Sequence, residues 1–283
     1  MWKMLKHIGR THRRKLAATF GLVGLENLLL LVYPTFGGMA INAVADGNVW
    51  LALLYTLIVL LMWVVGALRR SMDTRTFTRI YTEIAVPVVL DQRQRQTPHS
   101  AITARVALSR EFVSFFEEHL PIATTSLVSV FGACIMLLVL EFWVGMAAVI
   151  VLLVFLWLLP HFASISDSLY LRLNNHLEKD NHFIRDGSES LLWKHYYLVG
   201  RLRVLISYRE AFGYLAVGIA MSLLFGLAFT LMALRGYGSA GHVYSISTYL
   251  WMFAMSLDDV PRLVEQYSNL KDIGRRVELT QPA

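Results

Sequence analysis

Long apolar segments alternate with polar segments along the whole chain. Six apolar segments are long enough, or nearly long enough, to cross a hydrocarbon layer of about 30 Å as helices. They are residues 16–41, 51–68, 120–140, 144–161, 211–234 and 244–264. The last is the weakest of the six, because it contains Asp258, Asp259 and Arg262. The pattern predicts an all-α, polytopic membrane protein with six transmembrane helices.

Two polar segments, residues 69–119 and 165–210, are too poor in glycine and proline to be loops. Apolar residues recur in the first at helical spacing, at positions 77, 80, 84 and 88 and again at 102, 106, 113, 116 and 120. Between these halves lies a helix stop at residues 96–100, and the second segment has a break at residues 186–188. We predict two helical hairpins, each arm of the first having about 22 residues and extending about 33 Å beyond the membrane.

The basic residues indicate the orientation of these segments. Of the 26 lysines and arginines, only Arg235 falls in the three short turns between apolar segments, and the other 25 lie in residues 1–15, in the two hairpins and beyond Val260. The positive-inside rule therefore places both termini and both hairpins in the cytoplasm. We predict that the protein lies in the cell membrane, that is, the plasma or inner membrane. This topology also explains the sequence pI of about 9.5, so we predict a lipid-bilayer partner and no nucleic acid.

The predicted organisation has three parts. Residues 1–13 place Met1, Met4, Leu5 and Ile8 on one face, which is typical of an interfacial elbow helix. Residues 14–276 form the six-helix domain with its hairpins, and residues 277–283 form a tail. With 56% hydrophobic and 16% charged residues, the chain is far more apolar than a soluble domain. The single cysteine, Cys134, lies in an apolar segment and excludes an intrachain disulfide.

The arrangement is similar to the transmembrane domain of ABC exporters. Local sequences support the likeness: residues 108–112 (LSREF) resemble the arm that follows the first coupling helix, and residues 261–263 (PRL) and 270–276 (LKDIGRR) resemble the end of the sixth helix. The resemblance covers essentially the whole chain and implies that six helices form half of a transport pathway, with long cytoplasmic arms whose tips dock on an ATPase.

The chain departs from exporters because it contains no nucleotide-binding motif. There is no GxxxxGK[ST] sequence, no lysine precedes a serine or threonine, and no LSGGQ-like stretch is present. We therefore predict no ATPase activity, no nucleotide-binding domain and no cofactor in this chain. The resemblance places the coupling tips at Thr97, Pro98, His99 and Ser100 in the first hairpin and at Asp186 and Gly187 in the second.

Six polar residues are candidates for a proton or substrate site. Glu26 and Asn27 lie within the first apolar segment, Asp258 and Asp259 lie within the sixth, and Glu117 and Glu118 end the first hairpin at the membrane boundary. Carboxylates inside a membrane are costly and usually functional, because desolvation disfavours their charged form. The structural alternatives are an interhelical hydrogen bond for Glu26, an ion pair with Arg262 for Asp258, an interfacial position for Asp259 and a solvated helix face for the glutamate pair.

Other side chains support weaker hypotheses. His176 and His182 are six residues apart and do not share a helical face, so we predict no metal site. Six aromatic residues line a cavity or belong to interfacial belts and packing: Tyr33, Tyr214, Tyr244, Tyr249, Trp251 and Phe253. No pattern typical of a catalytic triad, a carboxylate pair or a zinc protease is present.

Three functional hypotheses follow. The first is a homodimeric, proton-coupled transporter of a peptide-like or other small amphipathic solute, similar to the ATPase-free peptide-uptake proteins of the SbmA/BacA kind. The second is the membrane subunit of an ABC transporter whose ATPase is a separate chain. The third is a non-transporting accessory membrane protein that retains the scaffold.

Overall fold

The computed structural model describes residues 13–94, 96, 102–103, 106–107, 110, 113–177, 188–236 and 239–278, with the side chains of 91, 174 and 260–278 outside that description. These residues form six long helices and no strand. The helices are α1 (Arg13–Ala45), α2 (Val49–Gln94), α3 (Leu120–Leu140), α4 (Phe142–Leu177), α5 (Glu189–Arg235) and α6 (Ala240–Glu278), and a π-helical turn at Phe115–His119 precedes α3. The predicted all-α membrane fold is confirmed.

Five of these helices have an apolar stretch long enough to cross a membrane: α1, α2, α4, α5 and the helix from Phe115 to Leu140. The sixth, α6, is a continuous helix but is less apolar, in agreement with the weak sixth segment of the sequence. Many large apolar side chains on α2 are exposed, including Trp63 at 67%. Apolar side chains that face outwards are expected where the surroundings are lipid rather than water.

The predicted helical arm of α2 is present, whereas much of the returning arm at residues 97–112 lies outside the described residues. α2 runs without interruption from the apolar segment through Pro87 to Gln94, and Phe77 and Ile80 on its periodic face are buried. Gln96 has a φ of 52°, and its N–H is bonded to the Arg93 carbonyl at 3.1 Å, so the predicted helix stop is confirmed at this residue. α5 likewise continues a polar arm into an apolar stretch. The elbow helix, both coupling tips and the C-terminal tail lie mostly or wholly outside the described residues.

The chain divides into two compact units, Met1–Met136 with Met232–Ala283 and, separately, Leu137–Leu231. In the second unit, the arms of α4 and α5 pack through a buried cluster of Leu173, Val199, Leu202 and Ile206. Phe162 of α4 lies against Gly213 of α5, and the Arg209 guanidinium carbon is 4.0 Å from the centroid of the Phe162 ring. The contact pairs a cation with an aromatic face.

In the first unit, α1 packs against both α2 and α6. A short turn joins α1 to α2: Gly47 has a φ of 71°, and the Asn48 side chain accepts a hydrogen bond from the Leu51 N–H at 3.2 Å. The two helices are therefore antiparallel neighbours. We call the end of this unit at the α1–α2 turn the turn side, and the end where α1 begins and α2 continues into its arm the arm side.

On the turn side, α1 and α6 touch backbone to backbone at Gly38 and Gly241. A Cβ atom on Gly241 would meet the Gly38 carbonyl oxygen and would lie 2.7 Å from the Asn42 side-chain amide. The Asn42 Oδ1 accepts hydrogen bonds from the Gly241 N–H at 2.9 Å and the Ser239 hydroxyl at 3.0 Å. Asn42 thus satisfies a free N–H in the first turn of a neighbouring helix. We call this contact the glycine crossing.

Candidate functional site

The central feature of the arm side is one arginine shared by two carboxylates. Arg69, the first residue after the apolar stretch of α2, bonds Glu26 of α1 through its Nε. Its Nη1 donates to Asp73 Oδ2 at 2.9 Å, one helical turn along α2. The Arg69 and Asp73 side chains are only 18% and 6% exposed, whereas the Glu26 side chain is 30% exposed. We call these three residues the shared-arginine cluster.

Two buried oxygen atoms at this cluster have no hydrogen-bond partner among the described residues. One is Asp73 Oδ1, on the residue that is 4% exposed, and the other is Thr19 Oγ1, on a fully buried residue of α1. The Thr19 hydroxyl is a near neighbour of the Asp73 carboxyl and acts on its pKa. Buried polar atoms without partners are uncommon, and each one needs an explanation.

Asp73 lies beyond the apolar stretch of α2, and its surroundings favour its neutral form. Burial raises the pKa of Asp73 above the ordinary value of 3.8, although the positive charge of Arg69 and the Thr19 hydroxyl oppose this. The negative charge of Glu26 raises it further. Desolvation therefore outweighs the ion pair at this residue.

The glutamate pair at the end of the first hairpin lies in the π-helical turn. Glu117 is half-buried, and Glu118 is exposed. Burial raises the pKa of Glu117, a change that Arg110 opposes and that the charges of Glu118 and Asp73 reinforce. Glu117 therefore belongs to the electrostatic neighbourhood of the shared-arginine cluster, and Glu118 has the solvated position expected of a helix surface.

The remaining sequence candidates lie apart from this cluster. The Asn27 Nδ2 donates to the Val23 carbonyl of its own helix at 2.8 Å, and Asn27 Oδ1 is buried without a partner among the described residues. Asp259 accepts a hydrogen bond from the Ser126 hydroxyl of α3 at 3.0 Å, which joins α6 to α3, while Asp258 is exposed. The proposed Asp258–Arg262 pair involves a side chain outside the described residues.

Two of the six aromatic candidates are packing residues, because Tyr249 and Phe253 are fully buried, whereas Tyr214 and Trp251 are exposed. The Tyr249 hydroxyl also donates to the Leu31 carbonyl at 2.7 Å, which ties α6 to α1. Tyr33 is different: its ring centroid lies 5.3 Å from that of Tyr55, and Tyr55 also interacts with Tyr244. These three partly exposed tyrosines come from α1, α2 and α6 and form a polar cluster.

Sequence reasoning identified Glu26 but not its partners. Glu26 is 21 residues before Gly47, and Arg69 is 22 residues after it. In an antiparallel helix pair with a short turn, residues equally far from the turn lie at the same depth, so this spacing could have predicted the pair. Asp73, four residues beyond Arg69, could then have been added by helical spacing. Within the described parts of the chain, no group of three or more histidine, cysteine or carboxylate side chains could hold a metal ion.

A comparison with protein families identifies the type of domain. The model of the family described as ABC transporter transmembrane region matches residues 5–241, which is more than four fifths of the chain. No curated protein matches the sequence. The family match, the five membrane-length helices and the continuous arms agree on a multi-pass membrane domain of the transporter type. The chain therefore belongs to the ABC transporter transmembrane region family.

Proposed function

We propose that the chain is one half of a homodimeric transporter that moves a peptide-like or other small amphipathic solute by proton-coupled alternating access. In this proposal both termini and both arms are cytoplasmic, and the protein lies in the plasma or inner membrane. Six helices enclose half of a pathway, and a twofold symmetric pair is the commonest way to complete one.

The shared-arginine cluster is the observation that supports proton coupling. Ionisable side chains within a helical membrane bundle are costly, and they typically mark ion pathways and proton relays. Glu26 and Arg69 join two membrane-spanning helices, α1 and α2, so a change in the charge of the cluster acts on the contact between them. A transporter needs such a link between ion binding and helix position.

The family assignment favours one alternative, a membrane subunit whose ATPase is a separate chain. Residues 5–241 match an ABC transporter membrane region, and the resemblance to exporters implies that the hairpin tips at residues 97–100 and 186–187 would bind that ATPase. An accessory role without transport is the third hypothesis, and it predicts that no solute moves under any driving force.

The composition of the purified particle and its transport in liposomes separate these functions. We expect the chain to purify as a dimer with no second polypeptide. Proteoliposomes under an imposed pH gradient, with pyranine inside, should then show uptake of a fluorescent amphipathic peptide together with proton movement. Glu26→Gln should abolish both signals. The matched control is Glu83→Gln, which removes an exposed carboxylate that pairs with Arg79 on the same helix, and it should retain both.

Other outcomes would contradict the proposal. A co-purifying ATPase, with uptake that depends on ATP and not on the pH gradient, would establish the separate-ATPase alternative. Absence of peptide and proton movement under both driving forces would leave the accessory role. Full activity of Glu26→Gln would remove Glu26 from the mechanism.

A further inference from the structure

Two ion pairs on α2 have the same sequence spacing and the same nitrogen–oxygen distance, but they differ in their exposure to solvent. Arg69–Asp73 and Arg79–Glu83 are both separated by four residues, and both have nitrogen–oxygen distances of 2.9 Å. The side chains of the second pair are 62% and 43% exposed, whereas those of the first are 18% and 6% exposed. The second pair is an ordinary solvated ion pair. The first holds a carboxylate away from water while its arginine is shared with Glu26.

The charges around Asp73 do not balance. Arg69 faces it from its own helix, Glu26 faces it from α1, and Glu117 of the π-helical turn is close enough for their charges to interact. Arg110 acts on Glu117. With Glu26 and Asp73 both ionised, the shared-arginine cluster carries one net negative charge, and an uncompensated charge in a buried site is strongly unfavourable.

We propose that Asp73 is the proton-binding residue of this cluster and that the proton is held on Oδ1, the oxygen that Arg69 does not bond. This inference rests on the proposed proton coupling and assigns it to an atom. Uptake forms one O–H bond at Oδ1 and converts the carboxylate into a neutral acid, and release returns the proton to water. The cluster then alternates between one net negative charge and none.

The difference in burial supports this assignment over Glu26. The Asp73 side chain is only 6% exposed and its Oδ1 has no hydrogen-bond partner among the described residues, so a negative charge on it is poorly compensated. The Glu26 side chain is 30% exposed, so water stabilises its negative charge better than that of Asp73. A metal ion fits the site poorly, because two orphan oxygens are far fewer than the ligands of a hard cation and the Arg69 guanidinium repels it.

Proton binding at Asp73 would also change how the hydrogen bonds of Arg69 are shared between Asp73 and Glu26. A charged partner makes a stronger hydrogen bond than a neutral one, so Arg69 would bond mainly to Glu26 once Asp73 is neutral. The link between α1 and α2 would tighten when the proton binds, and Arg69 would again be shared when the proton leaves. Asp73 therefore acts on the interhelical contact through Arg69.

Carbodiimide labelling tests this site without any transport measurement. Dicyclohexylcarbodiimide reacts with protonated carboxyl groups in apolar surroundings and leaves a stable acylurea that peptide mass spectrometry locates. In the purified full-length chain, we expect the Asp73 peptide to be the main labelled product of α1 and α2 and its labelling to fall as pH rises. Glu83 is the internal control and should be labelled at least tenfold less. Glu26→Gln should move the labelling curve of Asp73 to lower pH by about one unit, because a neighbouring negative charge is lost.

Three outcomes would overturn the assignment. In the first, the carbodiimide labels Glu26 rather than Asp73. In the second, it labels Asp73 and Glu83 equally. In the third, the labelling of Asp73 responds to sodium at constant pH but does not respond to pH. The proposed function fails separately: labelling as expected in a chain that moves no peptide under a pH gradient would leave the proton site in place and remove the transport role. Asp73→Asn, with size-exclusion chromatography as the check on folding, should lose both the label and proton-driven uptake.

Discussion

The glycine crossing between α1 and α6 makes a sharp prediction about stability. Gly241 lies in the first turn of α6, where its N–H is bonded to Asn42 and its α-carbon faces the Gly38 backbone. A methyl group at position 241 has no space, because the nearest atoms include a backbone carbonyl that cannot rotate away. We therefore expect Gly241→Ala to force α1 and α6 apart.

The expected cost follows from two contributions. Overpacking a tightly packed contact typically costs about 1–3 kcal/mol. Separation of the helices also weakens the 2.9 Å hydrogen bond from Gly241 to Asn42, which contributes about 1 kcal/mol. The sum is about 2–4 kcal/mol. At a few degrees per kcal/mol for a chain of this size, Tm should fall by roughly 5–15 °C.

The assay is thermal unfolding of the purified protein in detergent, followed by size-exclusion chromatography of the remaining folded fraction. Gly218→Ala on α5 is the matched control, because no atom lies within 4 Å of a Cβ at that position. Alanine favours helix over glycine by about 1 kcal/mol, so the control should have an unchanged or slightly higher Tm. A Gly241→Ala protein with the Tm of the wild type would refute the close backbone contact.

Three other predictions concern the arm side. Arg69→Ala should lower the free energy of unfolding by about 3 kcal/mol, because it leaves two carboxylates without their cation. Arg79→Ala, at the exposed pair, should lower it by less than about 0.5 kcal/mol. Equal losses of Tm in the two variants would contradict the difference in burial. Ser126→Ala should cost about 1 kcal/mol through loss of the 3.0 Å hydrogen bond to Asp259, and an unchanged Tm would show that this bond contributes nothing. Glu117 lies outside the apolar stretch of α3, and burial raises its pKa above 4.5, so it contributes stability at low pH that is lost as pH rises through the raised pKa. Glu117→Gln should therefore become more stable relative to the wild type as pH rises from about 4.5 to neutral. The measurement is the Tm of both proteins across that range. A Tm difference that does not change with pH would contradict the raised pKa of Glu117.

The helices were predictable because their signals are local. The apolar segments required only residue composition, and the arm of α2 required only the helical spacing of Phe77 and Ile80 and the absence of a break before Gln96. The glycine crossing was not predictable in this way. Gly38 and Gly241 are separated by some two hundred residues, and their contact depends on how α1 and α6 cross, which no local pattern encodes.

The candidate site was predicted in part. Glu26 was recognised because an acid within an apolar segment is rare, and the structure shows that it has a specific partner. Asp73 was missed because it lies in a polar arm, where an acid four residues from an arginine is ordinary. What distinguishes it is burial against Thr19, and burial depends on the register between α1 and α2. The predicted proton and substrate roles of all these residues stay predictions.

The position of the glycine crossing also has a consequence for motion. The contact continues along α6, where the Ser245 hydroxyl donates to the Pro34 carbonyl at 2.9 Å and the Tyr249 hydroxyl donates to the Leu31 carbonyl at 2.7 Å. These bonds fix the first turns of α6 to α1, so a bend that moves Asp259 relative to α1 has to lie beyond Tyr249. Asp259 is 10 residues beyond Tyr249, which is about 15 Å along the helix. A bend of about 10° there would move Asp259 by roughly 3 Å, which would be enough to break its hydrogen bond to Ser126.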